Sequence, residues 1–175
     1  MIIRSEEEKD YKIIGKIHTL AFGHDLEAKL IEDLRSDEKF DKDLSLVAEE
    51  NGNVIGHILF SHITIETPVS SKEAVILAPL AVLKDYRNKK AGTELVLEGI
   101  KRTKERGYKI MLVYGHTFYE RFGFKLAHEN HIFRPNPMPG EIVRILEMEK
   151  GAACGVSGVI KYPGAFKPLV NQWYT

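Results

Sequence analysis

The sequence predicts an α+β fold, in which a mixed, mainly antiparallel central sheet is flanked by helices. Three observations carry that expectation. Residues 44–66, "LSLVAEENGNVIGHILFSHITIE", set two β-rich runs around an Asn-Gly turn, which is a hairpin signal. Residues 74–83, "AVILAPLAVL", and 109–116, "KIMLVYGH", are apolar runs with a helical pattern between them, so they form a parallel pair joined by a crossover. The amino-terminal forty residues repeat apolar side chains at helical spacing.

Taken in order, "IIRSEEEKDYKIIGKIHTLAF" begins as a short strand. Ser5 then stands as the cap before three glutamates that suit the positive end of a helix dipole, with Tyr11, Ile14, Ile17 and Leu20 on the apolar face. A second helix follows, with Leu26, Leu30, Ile31 and Leu34 on one face. In the second hairpin run, strict alternation puts Val54, Ile58, Phe60, His62, Thr64 and Glu66 on one side of the sheet, and Ile55, Leu59, Ile63 and Ile65 on the other. Both sides are largely apolar, so this strand is central. Residues 74–83 pair antiparallel to it, and Pro79, which has no N–H, is where that ladder bends or goes unpaired. Ala91, Leu95, Val96, Ile100 and Thr103 mark a third helix that Gly107 stops. A short helix at "FYERF", a turn at Gly123 and a strand in "EIVRILEME" complete the pattern.

Length and composition fit one domain over residues 1–175, with 151–175 a glycine- and proline-containing extension packed on it. Lysine plus arginine number 25 and aspartate plus glutamate 25, so no overall field favours nucleic acid or an anionic membrane, and any anion site is local. The single cysteine, Cys154, excludes an internal disulfide and has no activating neighbour. The acidic amino terminus lacks the apolar run of a signal peptide, and no stretch approaches the roughly 20 residues that span a bilayer, so a cytoplasmic protein is expected. "HENH" at 128–131 has no further ligands at metal spacing and reads as a loop, so no metal is expected.

The local anion site is the loop between strand and helix in "LAVLKDYRNKKAG", residues 80–92. Backbone N–H groups entering a helix converge on one point, the dipole adds positive potential, and Arg87, Lys89 and Lys90 add charge. Together these hold a pyrophosphate. A solvated basic loop is the plainer reading of those residues alone. His116, at the end of a buried strand, and Glu66, beside His62 on one strand face, are candidate bases. Structural hydrogen bonding and solvation are their plainer readings.

With "LVYGHTFYERFGF" at residues 112–124 following that loop, the chain resembles the GNAT superfamily of acyl-CoA N-acetyltransferases over roughly residues 2–150. The loop corresponds to the Q/R-x-x-G-x-G/A cofactor motif, and the second segment ends in the Tyr-x-x-x-Gly-Phe signature. The helix "LEAKLIEDLR" and the tail "GVSGVIKYPGAF" are further similar to a YhbS-like subgroup. The resemblance implies a sheet splayed at the cofactor site. It implies binding of acetyl-CoA by Arg87, Asn88, Lys89, Lys90, Ala91, Gly92 and Thr93, with backbone groups of Leu80, Ala81 and Val82 pairing with the pantetheine arm. Lys90 occupies a motif position that is usually glycine. The implied reaction is direct attack of a primary amine, on a small molecule, a peptide N-terminus or a lysine, in a ternary complex. Tyr119 is then the general acid, and Glu66, His116 or a water relay the base. The strand of the cofactor motif contains no acid, and this, with Lys90, leaves a second reading: an acyl-CoA-binding sensor with weak or no turnover. The protein is expected to be a monomer or homodimer, with no nucleic-acid or membrane partner.

Overall fold

Strands β1 (Ile2–Ser5), β2 (Ser45–Glu50), β3 (Asn53–Glu66), β4 (Ser71–Val82) and β5 (Ile110–Tyr114) lie side by side in that order, followed by β8 (Val143–Glu147) and β6 (Lys125–Leu126). The computed structural model describes residues 1–115, 117–135 and 142–172. Pairing along this series is antiparallel except between β4 and β5, which are parallel because α3 (Ala91–Glu105) carries the chain back between them. The predicted hairpin forms at Asn51 and Gly52, with φ values of 52° and 77°, the positive values that match a two-residue turn to strand twist. The last strand, β9 (Gly158–Lys161), pairs with the far end of β3 at Thr64–Glu66 and with the short β7 (Ile132–Phe133).

Helices cover both faces. On one, α1 (Tyr11–Phe22) and α2 (Leu26–Arg35) bury Ile14, Ile17, Leu30, Ile31 and Leu34 against Leu59, Ile63 and Ile65 of β3. The carboxyl-terminal segment joins this layer through Ile160, Phe166 and Leu169. On the other face α3 sets Leu95 and Val96 over Ile58, Phe60, Val75 and Met111.

Three local expectations are corrected. Ser5 is the last residue of β1 and its hydroxyl bonds to Asp43 and Arg102; the helical entry is instead capped by Glu7 in a reciprocal box with Asp10. Leu20 is 64% exposed, because α1 turns its 14, 17, 18 and 21 stripe inward and Leu20 lies about a quarter-turn or more off it. Val54 and Ile55 exchange faces: Glu49 sits opposite Val54 and Ala48 opposite Gly56, so Ile55 is an extra residue, and the bulge reverses the alternation before it. The break expected at Pro79 is present: the β3–β4 register shifts between Ile58 and Phe60, opposite Leu80 and Leu77.

Under α1 lies a buried polar chain absent from the sequence reading. His18 Nε2 meets His57 Nδ1 at 2.9 Å, His57 Nε2 meets the Ser45 hydroxyl at 2.9 Å, and Glu6 receives both arms of Arg35 at 2.9 and 2.8 Å. Burial lowers the pKa of His18, aided by repulsion from His57 and Arg35; burial likewise lowers that of His57, against the pull of Glu6. Burial opposes ionisation of Glu6, yet the two hydrogen bonds from Arg35 and the nearby His57, 3.6 Å away, bring its pKa down to about 2. The native histidines therefore hold fewer protons than unfolded ones titrating near 6.5, so stability is retained above that pH and lost as pH falls through it. The melting temperature should stay level from about pH 8 to 7 and decline from about 7 to 5, and His18→Gln should flatten the decline. An unchanged slope in calorimetry of that variant would show that the pair is not the titrating element.

Candidate active site

The parallel pairing of β4 with β5 runs through Val75–Met111, Ile76–Leu112 and Leu77–Val113, then stops. Past that point β4 continues to Val82 and β5 ends at Tyr114, leaving a gap between them. Leu83 gives its N–H to Ile55 of β3, so by strand alternation Ala81 also faces β3, while the backbone groups of Leu80 and Val82 face the gap. Ala81 is thus turned into the sheet opposite His57, and two of the three residues expected to pair with an extended ligand turn backbone groups unpaired with any strand towards the gap. The Val82 carbonyl receives Arg87 Nε at 3.3 Å.

At the gap's mouth a cleft of about 450 Å³ is lined by Leu80, Val82, Arg87, Asn88, Lys90, Ala91, Gly92 and Thr93. Tyr86, Phe118 and Arg121, which the sequence reading did not assign, complete it. Lys89 stands outside the lining, its ammonium 5.0 Å from the centre of the Tyr86 ring. Ala91 opens α3, and the first N–H groups of a helix have no partner within it, so the cleft sits at a donor-rich, positive helix end. Gly92 keeps the entrance clear: a Cβ there would meet Val82 Cγ2 at 3.8 Å and Phe118 Cζ at 4.0 Å, and anything larger would fill the space between them.

Lys90 has φ +67° and Asn88 φ +64°. The backbone at the motif's glycine position is therefore left-handed even with lysine there, a conformation costing an L-residue about 1–2 kcal/mol. Lys90→Gly should raise stability in urea unfolding by about 0.5–1 kcal/mol once the greater freedom of unfolded glycine is subtracted. Because Lys90 lines the cleft, the same change should weaken a pyrophosphate ligand severalfold. No stability gain would contradict the strain argument.

Tyr119 lies in a 3₁₀ helix, Thr117–Phe122, immediately beyond β5. Its ring packs edge-on against Phe118 and Phe124 at 5.2 and 5.8 Å. Burial pushes its pKa up to about 12, so the phenol is protonated at neutral pH, and its hydroxyl makes no hydrogen bond among the described residues. Gly115 permits this packing, since a Cβ there would lie 2.7 Å from Tyr119 Cε2. Arg144, buried on β8, bolts the region together: Nε reaches the Gly115 carbonyl at 3.2 Å and Nη2 the Glu120 carboxylate at 2.8 Å.

Glu66 is not brought to the gap. It is exposed at the far end of β3, opposite Ser71 and 3.1 Å from Lys161. His116 lies outside the described residues. No group of three or more histidine, cysteine or acidic side chains among the described residues is placed to hold a metal, and no described helix is long and apolar enough to cross a membrane.

Residues 11–124 match the sequence profile of the acetyltransferase (GNAT) family. The uncharacterized N-acetyltransferase YhbS of Escherichia coli K12 is 34% identical over 164 residues, covering 93% of this chain and 96% of that one. Its counterpart YjhQ is 36% identical over 137 residues, or 77% and 76% of the two chains. The crystal structure of E. coli YhbS in complex with CoA superposes with a TM-score of 0.85 at 33% identity, over 94% of this chain and 91% of that one. A GNAT family acetyltransferase from Brucella melitensis in complex with acetyl-CoA gives a TM-score of 0.77 at 27% identity, over 95% and 97%.

Proposed function

We propose that this chain, which belongs to the acetyltransferase (GNAT) family, moves an acetyl group from acetyl-CoA to a primary amine by direct attack in a ternary complex. The observation that carries the reading is the β4–β5 gap, with free strand edge on one side and the α3 donor cleft at its mouth. An extended pantetheine arm suits the edge at Leu80 and Val82 as an added strand, and a pyrophosphate suits the helix start with Arg87 and Lys90. The CoA and acetyl-CoA complexes of the two similar structures support the same ligand here.

In this reading the ammonium first gives a proton to His116 or to a water relay, the two sequence candidates left once Glu66 stands away from the gap. The amine nitrogen then forms a bond to the thioester carbon, and an N–H of Leu80 or Val82 stabilises the oxyanion. When the C–S bond breaks, the thiolate takes its proton from the Tyr119 hydroxyl, and the proton that the acylated nitrogen sheds returns to the phenolate through water. The cost of holding charge on a buried phenolate requires that donation to be brief.

A second reading is a CoA-binding sensor, favoured by the absence of an acid in the Ala74–Val82 stretch of β4 and by Lys90 in the glycine position. Thiol release from acetyl-CoA with a panel of amines, measured beside CoA-induced thermal shift, separates the two. Amine-dependent release is expected. A CoA-induced shift with no release on any amine would establish the sensor.

A further inference from the structure

Arg144 sits where a strand would ordinarily bury an aliphatic side chain. It is the second residue of β8, opposite Val113 of β5 and Leu126 of β6, and only 4% exposed. A buried ion pair is often no more stabilising than apolar residues of similar volume, so stability alone does not call for arginine here. Its guanidinium holds the chain at two points, one on either side of Tyr119. Nε donates to the Gly115 carbonyl at 3.2 Å, just past the end of β5, and Nη2 meets the carboxylate of Glu120, the residue after Tyr119, at 2.8 Å. Gly115 is also the surface on which the phenol ring rests, since a Cβ there would lie 2.7 Å from Tyr119 Cε2. The 3₁₀ helix Thr117–Phe122 carries Phe118 and Arg121 as well, both in the wall of the loop cleft. A 3₁₀ helix of this length has poor hydrogen-bond geometry of its own, so an outside tether decides where it sits.

We propose that Arg144 is a positioning residue for acetyl transfer: by clamping Gly115 and Glu120 to β8, it fixes the Tyr119 ring and with it the place of the hydroxyl. The inference rests on the acetyl-transfer reading above, with Tyr119 as proton donor, and adds the group that aims that donor. Packing alone does not aim it. Of the two rings edge-on to Tyr119, Phe118 moves with the same helix and Phe124 follows the turn at Gly123, and apolar contact has no preferred direction. A planar guanidinium does have direction, because its donors point at fixed angles and hold two acceptors in one geometry. Glu120 is half exposed and Arg144 buried, so the arginine is the fixed anchor and the carboxylate the arm that it holds.

Arg144→Met keeps most of the side-chain volume and removes the clamp. In that variant kcat should fall about tenfold or more, since a misplacement on the order of 1 Å can cost about 10²-fold. CoA affinity should stay within about threefold of wild type, the split expected when an interaction of the transition state alone is lost. In the Tyr119→Phe background the same substitution should change kcat less than about twofold, because two residues that act through one hydroxyl do not add. A purely structural role predicts a lower melting temperature with the same proportional loss of kcat in both backgrounds. That result, or wild-type kcat in Arg144→Met beside a loss in Tyr119→Phe, would overturn this inference alone, whereas full turnover in Tyr119→Phe would overturn the proton-donor reading beneath it. Should Arg144→Met not fold, Glu120→Ala, at a half-exposed position, carries the same comparison. If wild type releases no thiol with any amine, the acetyl-transfer reading fails separately. The clamp is then judged in CoA-saturated protein from the fluorine NMR signal of 3-fluorotyrosine at position 119, where a signal that shifts or broadens in Arg144→Met upholds it and an unmoved signal refutes it.

Discussion

Tyr119→Phe should lower kcat by about 10²–10³-fold, within the range that a positioned general acid contributes. The substitution removes one oxygen and keeps the ring that fills the space beside Phe118, Phe124 and Gly115. Since the hydroxyl has no hydrogen-bond partner among the described residues, its loss leaves no stranded group, and the melting temperature should be unchanged. CoA affinity should also hold, because Tyr119 is not in the lining of the loop cleft. A phenol raised to about 12 stays protonated throughout the useful pH range, so the acid form needs no titration to be present. The alternative role, an aromatic filling a core, predicts full turnover in the same variant. Wild-type kcat on an amine substrate would therefore remove Tyr119 from the chemistry.

Much of this site was legible because its signals are local. An apolar strand, a basic loop and a helix start lie within residues 80–93, and backbone N–H convergence follows from that order without knowledge of the rest of the chain. The Asn51–Gly52 turn and the β4–β5 parallel pair were legible for the same reason: one depends on φ preferences of two residues, the other on the length of the intervening helix. What the sequence hid depends on register and long-range contact. The bulge at Ile55 moves two side chains across the sheet, and nothing in an apolar run marks which residue is extra. Glu66 shares a strand face with His62, yet the strand is long enough to carry it away from the gap. Arg144 offered a usable signal, an arginine between apolar neighbours in "EIVRILEME", since a cation at a core-facing strand position needs partners. Its partners, the Gly115 carbonyl and Glu120, lie 29 and 24 positions away, beyond what pattern alone connects. His18 and His57 read as an ordinary helix residue and an ordinary strand residue until folding brings them to 2.9 Å.

The central claim is that the chain grips acyl-CoA by its pyrophosphate at the α3 start and lays the acyl arm along β4. The most direct test is the affinity of CoA and of pantetheine, which lacks the pyrophosphate, for wild type and for the double variant Arg87→Ala/Lys89→Ala. Arg87 lines the cleft and Lys89 neighbours it, so both raise the potential there, although their exposure and the salt of the medium reduce what each contributes. With a hydrogen bond to a charged group contributing about 1.5–3 kcal/mol, discounted for solvent, CoA affinity should fall roughly 10- to 100-fold. Pantetheine, which meets only the strand edge, should bind the variant as it binds wild type. A parallel loss for both ligands, or none for CoA, would contradict the account.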